Sequence, residues 1–190
     1  KSGNCTSHED HLVLPDGFVI PYDAEKIHGI STALAKKEGI PLAEMLEKFQ
    51  QALQQCEFIG GHNVKFDLNI IGAEFLRLGD HNPLENFPII DTCTEETATL
   101  CQLPGGRGGK FKLPTLSELH AHLFDVHFDE AHNATADVEA TTRCFFELFR
   151  KGWIRPEAMK NRGEVLQHLT EVLDEPVKGI GLKHHNLKDT

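Results

Sequence analysis

The sequence predicts an α/β domain in which a small sheet is flanked by helices. Short apolar segments alternate with amphipathic segments along the chain, which is the order that strand–helix units produce. The 190 residues suffice for one domain with a substantial core. The composition is 39% hydrophobic and 25% charged, which is typical of a globular protein.

Three segments are predicted to be strands. HLVLPDGFVIP, at 11–21, reads as a short strand with a turn and leads into the partly helical connector YDAEKIHGIS. The others are CEFIGG, which ends in two glycines, and FPIIDT. Three short strands form a thin sheet for the number of helices that the rest of the chain predicts.

Helices are predicted from apolar residues at helical spacing and from proline and glycine at the ends. PLAEMLEKFQQALQQ opens with Pro41, where proline is tolerated, and FDLNIIGAEFLRLG closes at Gly79. The remaining predicted helices are CTEETATLCQL, LPTLSELHAHLF, residues 134–150 and PEAMKNRGEVLQHLTEVLDEP. A glycine-rich basic loop, PGGRGGKFK, separates the first two of these.

Charge and cysteine content narrow the class of protein. A formal net charge of −10 argues against holding nucleic acid by overall electrostatics, but it is compatible with carboxylates neutralised by metal ions. Five cysteines without a CxxC pair predict reduced, mostly buried thiols and a cytoplasmic protein. No apolar run approaches the ~20 residues of a transmembrane helix, so no membrane partner is expected.

Candidate catalytic residues lie where two helices begin. Asp67 follows the apolar strand of GGHNVKFDLN, and Asp137 falls in the first helical turn of EAHNATADVEA. His132 is five residues before Asp137, about 140° away on a helix, so it is predicted on the preceding loop. A helix cap and a structural histidine are the plainer interpretations. Two carboxylates with a histidine also suit Mg²⁺ or Mn²⁺ and phosphodiester hydrolysis.

The motifs GHNVKFD and HNATAD resemble the second and third motifs of the DnaQ-like, DEDDh-type 3′–5′ exonucleases. IHGIS is similar to the connector that lines the nucleotide pocket in that family, and IIDT and LPTLSEL to the segment between the motifs. The resemblance covers about residues 11–150. It is greatest for exonuclease domains fused to or associated with the alpha subunit of bacterial DNA polymerase III.

That resemblance implies a ribonuclease H-like fold with a small mixed sheet. It implies an exonuclease domain at 1–152 and a helical extension or linker at 153–190. The implied site comprises metal ligands at Asp67 and Asp137, a general base at His132, and substrate contacts at His28, Ile30, Asn63 and Phe66. The implied cofactor is a pair of Mg²⁺ or Mn²⁺ ions. The implied partners are a single-stranded or frayed DNA 3′ end and the polymerase region or subunits of DNA polymerase III.

Some residues keep a structural alternative. His28 is either a substrate contact or a packed connector histidine, and Phe66 is either a base contact or a core aromatic. Asp91, after FPII, is expected to be a structural acid at a strand end. In the basic loop, phosphate and base contacts compete with a solvated, flexible loop; the residues concerned are Arg107, Lys110, Phe111 and Lys112.

One family motif is absent from this sequence. No DxE on an apolar strand occurs before residue 60, and SHEDH at 7–11 has no apolar strand around it. Two of the four expected acids are therefore missing, and both metal positions lack the ligands that these acids would supply. We expect the N-terminal strand or strands to be missing and the parent protein to carry residues upstream of Lys1. The alternatives are an inactive module of the same fold that binds a polymerase or nucleic acid, and an RNA-end exonuclease.

Overall fold

The computed structural model describes residues 6–126 and 134–155, with isolated positions at 163–164 and 167. Within them, the strands are β1 (Ile59–Gly61) and β2 (Ile89–Asp91). The helices are α1 (Tyr22–His28), α2 (Thr32–Glu38), α3 (Leu42–Leu53), α4 (Lys65–Arg77), α5 (Glu95–Cys101), α6 (Leu116–Phe124) and α7 (Ala134–Arg150), with a 3-10 turn at Arg107–Gly109. The predicted α/β class is confirmed. The predicted helix at 156–174 lies almost entirely outside the described residues.

The described sheet has two parallel strands, β1 and β2, paired from Ile59 opposite Ile89 to Gly61 opposite Asp91. Parallel strands need a long crossover, which α4 supplies. The backbone N–H of Thr92 extends the ladder by donating to the Gly61 carbonyl at 2.8 Å. The carboxyl ends of both strands therefore lie at one edge, which is where α4 and α5 begin.

The strand predicted at 11–21 does not form. Val13 makes an isolated parallel bridge to Ile40, flanked by backbone hydrogen bonds on either side. Pro15 lacks an N–H to donate, and Gly17 turns the chain with a φ of 75°, so pairing ends after one bridge. Gly39 permits the bridge, since a Cβ there would lie 2.7 Å from the Leu14 nitrogen.

Side chains at several helix starts satisfy backbone N–H groups that have no partner within the helix. The Ser31 hydroxyl accepts from Leu34 N–H at the start of α2, a helix that the sequence analysis did not predict. Capping boxes start α5, through Thr94 and Thr97, and α6, through Thr115 and Glu118. These caps fix where each helix enters the fold.

The main core lies between α6 and α7 and reaches the sheet. Leu119, Cys144 and Leu148 have no exposed surface, and Ile154 packs into the same cluster. The rings of Phe58 and Phe145 lie 5.7 Å apart, which places α7 against the start of β1. A second cluster joins α3 and α4 to the sheet through Leu53, Val64, Leu68 and Leu84. Burial of these apolar side chains holds the helices on the strands.

The cysteines are less buried than predicted. Cys144 is buried, and its burial raises its pKa to about 12, but Cys56 is exposed and Cys93 and Cys101 are intermediate. Surface loops accept a thiol as readily as another small side chain, so residue type alone did not fix burial. Over the residues that the structure describes, no helix is both long enough and apolar enough to cross a membrane.

Candidate functional site

The turn between β1 and α4 presents three of the predicted site residues. Asn63 lies in this turn with a φ of 57°, and Phe66 and Asp67 follow in the first turn of α4. A left-handed conformation is uncommon outside glycine but comparatively accessible to asparagine. It allows the chain to leave the strand and enter the helix within a few residues, so Asn63, Phe66 and Asp67 share one short segment.

The carboxylate of Asp91 holds this turn from the end of β2. Oδ1 accepts hydrogen bonds from the backbone N–H groups of Asn63 and Cys93, both at 2.8 Å. Oδ2 accepts from the N–H of Val64 at 3.1 Å. These three bonds agree with the structural role expected for Asp91, and they tie the start of α4 to the neighbouring strand.

His62 connects the same turn to the segment before α6. Nε2 donates to the Pro114 carbonyl at 2.9 Å, and Nδ1 lies 2.9 Å from the Thr92 hydroxyl oxygen. Burial lowers the pKa of His62, while the bond to Pro114 and the charge of Asp91 oppose that shift. A neutral ring with its hydrogen on Nε2 satisfies the Pro114 contact, and the single hydroxyl hydrogen of Thr92 then lies between two acceptors, Nδ1 and the Gly61 carbonyl at 3.1 Å.

Asp67 is exposed and occupies the first turn of α4. Partial burial of its carboxyl raises its pKa, a bond to its own backbone N–H lowers it, and the negative charge of Asp91 raises it again; the net shift is upward. A cation beside this carboxylate would relieve its repulsion by Asp91. A helix-cap role and a metal-ligand role both remain compatible with this position.

The alternative reading of Phe66 as a core aromatic is wrong. Its side chain is 64% exposed, whereas Leu68 on the other side of α4 is buried. On a helix, positions two apart point in different directions, so burying Leu68 turns Phe66 outward. Asn63 is exposed as well. Both side chains therefore stand on the surface beside Asp67.

The other predicted carboxylate, Asp137, is partly buried in the first turn of α7. α7 packs on β1, and α4 follows the end of β1, so both helices that carry these aspartates border the same strand. In the turn of Asp137, the Thr135 hydroxyl donates to Asp10 Oδ2 at 3.0 Å. The SHEDH segment thus reaches this helix although it forms no strand. His132 lies outside the described residues.

The described residues do not by themselves form a two-metal site. Among residues 6–126, 134–155 and the three isolated positions, no group of three or more His, Cys, Asp and Glu side chains could hold a metal ion. Mg²⁺ and Mn²⁺ need several oxygen ligands in a compact arrangement. Asp67 and Asp137 supply carboxylates, and nothing within those residues completes a shell around either.

His28 ends α1, and Ile30 lies in the short connector between α1 and α2. The backbone N–H of Ile30 donates to His28 Nδ1 at 3.0 Å, and Gly29 between them has a φ of 73°. Because Nδ1 accepts, the ring hydrogen lies on Nε2. His28 is exposed, which contradicts the reading as a packed connector histidine. The ring therefore offers an Nε2–H donor to solvent or to a ligand.

The glycine-rich loop is closed by a backbone hydrogen bond, and most of its residues are exposed. The Lys112 N–H donates to the Leu103 carbonyl at 2.9 Å, and a Cβ at Gly106 would lie 2.1 Å from the Lys110 carbonyl oxygen. Lys110 pairs with Glu95 and Lys112 with Glu118. These ion pairs neutralise both lysines, which weakens the loop as a phosphate-binding surface.

Two features of this site escaped sequence interpretation. The sequence did not predict the bonds of His62 to Thr92 and Pro114, and the Asp10–Thr135 contact spans 125 positions. Both depend on long-range pairing that short motifs do not encode. The one local signal was the repeated placement of polar residues directly after apolar strands, in GGHN and in IIDT.

Comparison with known proteins gives two findings. Residues 5–145 match the family model for RNase T-type proteins, described as Exonuclease. One similar protein is the DNA polymerase III PolC-type of Pediococcus pentosaceus, 26% identical over 171 residues. The matched region covers 90% of this chain and 11% of the relative, so the chain spans a small part of that protein.

Proposed function

Because the chain belongs to the exonuclease family of DnaQ-like nucleases, we propose that it is a 3′–5′ proofreading exonuclease of a bacterial DNA polymerase III. Its substrate is a single-stranded or frayed DNA 3′ end, and its products are nucleoside monophosphates. The similarity to a PolC-type polymerase supports the association with a polymerase. The family supports a nucleic-acid substrate and hydrolysis.

One arrangement supports this proposal: α4, which carries Asp67 in its first turn, follows β1 directly, and α7, which carries Asp137 in its first turn, packs on β1. We assign Asp67 and Asp137 as metal ligands and His132 as the general base. Proteins of this exonuclease family generally use divalent ions, which lower the pKa of a bound water and neutralise charge on the phosphate. Carboxylates additional to Asp67 and Asp137 are needed to complete that site.

The protein side chains around Asp67 suit the end of a single strand. The exposed ring of Phe66 offers a stacking surface for a base, and stacking is tolerant of base identity. The Asn63 amide can exchange hydrogen bonds with sugar or phosphate groups next to it. The Nε2–H of His28 is directed outward as a donor, and Ile30 follows it. The polymerase region or subunits would deliver a mispaired 3′ end.

Residues 1–152 form the exonuclease unit in this proposal, and 153–190 an extension or linker toward a polymerase. The family match over 5–145 supports the first part. The cofactor is Mg²⁺ or Mn²⁺, and the place of action is the cytoplasm, where replication occurs in bacteria.

The test is hydrolysis of a 3′-labelled oligonucleotide by the protein purified at its natural length, with Mg²⁺ or Mn²⁺. We expect wild type to release labelled mononucleotide, and Asp67→Asn, His132→Ala and Asp137→Asn each to slow release at least ~100-fold. Glu147→Gln, a buried acid on the distal half of α7, is the matched control and should retain the rate. If the site variants match wild type, the catalytic assignment is wrong. Competing RNA and DNA oligonucleotides distinguish an RNA-end nuclease.

A second candidate is a module of the same fold that binds nucleic acid or a polymerase without catalysis. The lack of a metal-holding group among the described residues favours it. Calorimetry with Mn²⁺ separates the two candidates. Binding that Asp67→Asn and Asp137→Asn weaken supports the nuclease, and an absence of binding supports the inactive module.

A further inference from the structure

We propose that Asp91 is a positioning residue for substrate binding, acting through the turn that presents Asn63 and Phe66. This inference rests on the proposed function, since it concerns the same nucleotide site. Asp91 itself lies behind the turn, at the end of β2, and its carboxylate is occupied by backbone N–H groups. It therefore acts on the substrate only by fixing residues that reach it.

The carboxylate joins two adjacent residues of the turn, Asn63 and Val64, to the end of β2. Oδ1 is shared between the N–H groups of Asn63 and Cys93, and Oδ2 takes the N–H of Val64. Hydrogen bonds to an ionised acceptor are stronger than those between neutral groups. Two of the three donors, the N–H groups of Asn63 and Val64, lie on either side of the Cα of Asn63. Its left-handed backbone conformation is unfavourable, and these bonds stabilise it.

The position of Phe66 follows from this connection. Val64 immediately precedes α4, and its buried side chain packs in the core cluster with Leu68. Fixing the Val64 N–H therefore sets both the start of the helix and its rotation about its axis. That rotation buries Leu68 and leaves Phe66 exposed. A shift of the turn would redirect the ring and the Asn63 amide together.

An amide in place of the carboxylate cannot preserve the connection. In Asp91→Asn, a carbonyl oxygen can keep the Asn63 and Cys93 bonds, but the NH₂ group then faces the Val64 N–H, donor against donor. The substitution changes one atom type and almost no volume. Its effect is thus expected at the bond to Val64 and in the residues that follow.

The experiment measures binding of a 5′-fluorescein-labelled oligo(dT) of eight nucleotides by fluorescence anisotropy, in EDTA, with the protein at its natural length. We expect Asp91→Asn to weaken binding about tenfold, because small misplacements of site residues have effects of this size or larger. Glu147→Gln is the matched control: it removes another hydrogen-bonded carboxylate, remote from the turn, and should bind as wild type does. In a Phe66→Ala background, Asp91→Asn should weaken binding by less than it does in wild type, because only the Asn63 amide is left to be misplaced.

The inference would be overturned if Asp91→Asn left the affinity for the oligonucleotide unchanged. It would also be overturned if Asp91→Asn weakened binding as much in the Phe66→Ala background as in wild type. If wild type binds no oligonucleotide, the proposed nucleotide site itself fails, and this inference with it; if wild type binds and Asp91→Asn matches it, only the positioning role fails. Should Asp91→Asn not fold, hydrogen exchange in wild type decides. Protected Asn63 and Val64 amides support the connection, and rapid exchange at both overturns it.

Discussion

The hydroxyl of Thr135 donates a 3.0 Å hydrogen bond to Asp10 Oδ2, joining residues 125 positions apart in the chain. The contact places the SHEDH segment beside the first turn of α7, the turn that carries Asp137. It is exposed, so water competes for both groups.

A double-mutant cycle over Thr135→Val and Asp10→Ala tests whether this contact stabilises the fold. We expect a coupling free energy of about 0.5–1 kcal/mol, the range for a surface hydrogen bond to a charged acceptor. Urea denaturation of wild type, both single variants and the double variant gives the value. Strictly additive losses would show that the N-terminal segment contributes nothing through this bond.

The adjacent glycines of GGHN differ in their tolerance to alanine. A Cβ at Gly61 would lie 2.5 Å from Val64 Cβ, whereas a Cβ at Gly60 would meet only Phe58, at 3.8 Å. We expect Gly61→Ala to reduce the free energy of unfolding by roughly 1–3 kcal/mol, as overpacking does. Gly60→Ala should lie within about 1 kcal/mol of wild type. Equal effects of the two substitutions in thermal denaturation would contradict this packing.

Stability should depend on pH through His62. Burial lowers the pKa of His62 in the fold below its ordinary value of 6.5. As pH falls, His62 takes up a proton in the unfolded chain before it does so in the fold. The stability that neutral His62 contributes is therefore complete above about pH 6.5 and is lost as pH falls through the folded pKa. Urea denaturation between about pH 7.5 and pH 5.5 should show a smaller loss for His62→Gln than for wild type.

A second histidine, His120, should contribute to the same pH dependence of stability, because burial lowers its pKa too. The slope that remains in His62→Gln should decrease further in a double variant with His120→Gln. If His62→Gln loses as much stability with falling pH as wild type does, the ring is not held neutral between Thr92 and Pro114.

Glu147 stabilises the end of α7 through a buried ion pair. Its carboxylate accepts from Arg150 Nη2 at 2.6 Å and Nε at 2.9 Å, and Lys151 lies 3.3 Å away. Burial raises the pKa of Glu147, but the two cations outweigh it and hold the pKa below its ordinary range. We expect Glu147→Gln to reduce the free energy of unfolding by about 1–3 kcal/mol.

Glu74→Gln is the matched substitution at a more exposed ion pair. Glu74 pairs with Arg77 one helical turn along α4; the arginine side chain is 72% exposed and that of Glu74 21%, against 28% and 3% for Arg150 and Glu147. Exposed pairs of this kind contribute about 0–1 kcal/mol. Chemical denaturation of both variants checks the difference. A loss in Glu74→Gln as large as that in Glu147→Gln would contradict the role of burial.

Local patterns predicted the helices well and the contacts between them poorly. Residues 134–150 form α7 as predicted, because apolar residues recur at helical spacing over many turns. Such a long pattern identifies a helix even where its end residues are hard to assign. The strand predicted at 11–21 fails because a proline and a glycine limit its pairing to Val13. α2 was missed although Ser31 and Gly39 bracket it, because seven residues give little periodicity.

Within the site, the position of Asp67 followed from the strand–helix junction, since a first-turn acid is recognisable in sequence. The exposure of Phe66 did not follow, because it depends on which side of α4 faces the core. The three bonds to Asp91 were equally hidden, as they pair residues from two strands whose register only the fold determines.

The proposed activity is tested most directly by digestion of a 5′-labelled linear oligonucleotide with Mn²⁺ by the protein purified at its natural length, alongside a circular single strand of similar sequence. A 3′–5′ exonuclease gives a ladder that shortens from the 3′ end by single nucleotides and leaves the circle intact. Cleavage of the circle, or early release of the 5′ label, would contradict a 3′–5′ exonuclease. No shortening of the linear strand would contradict catalysis altogether and leave the binding module as the function of this fold.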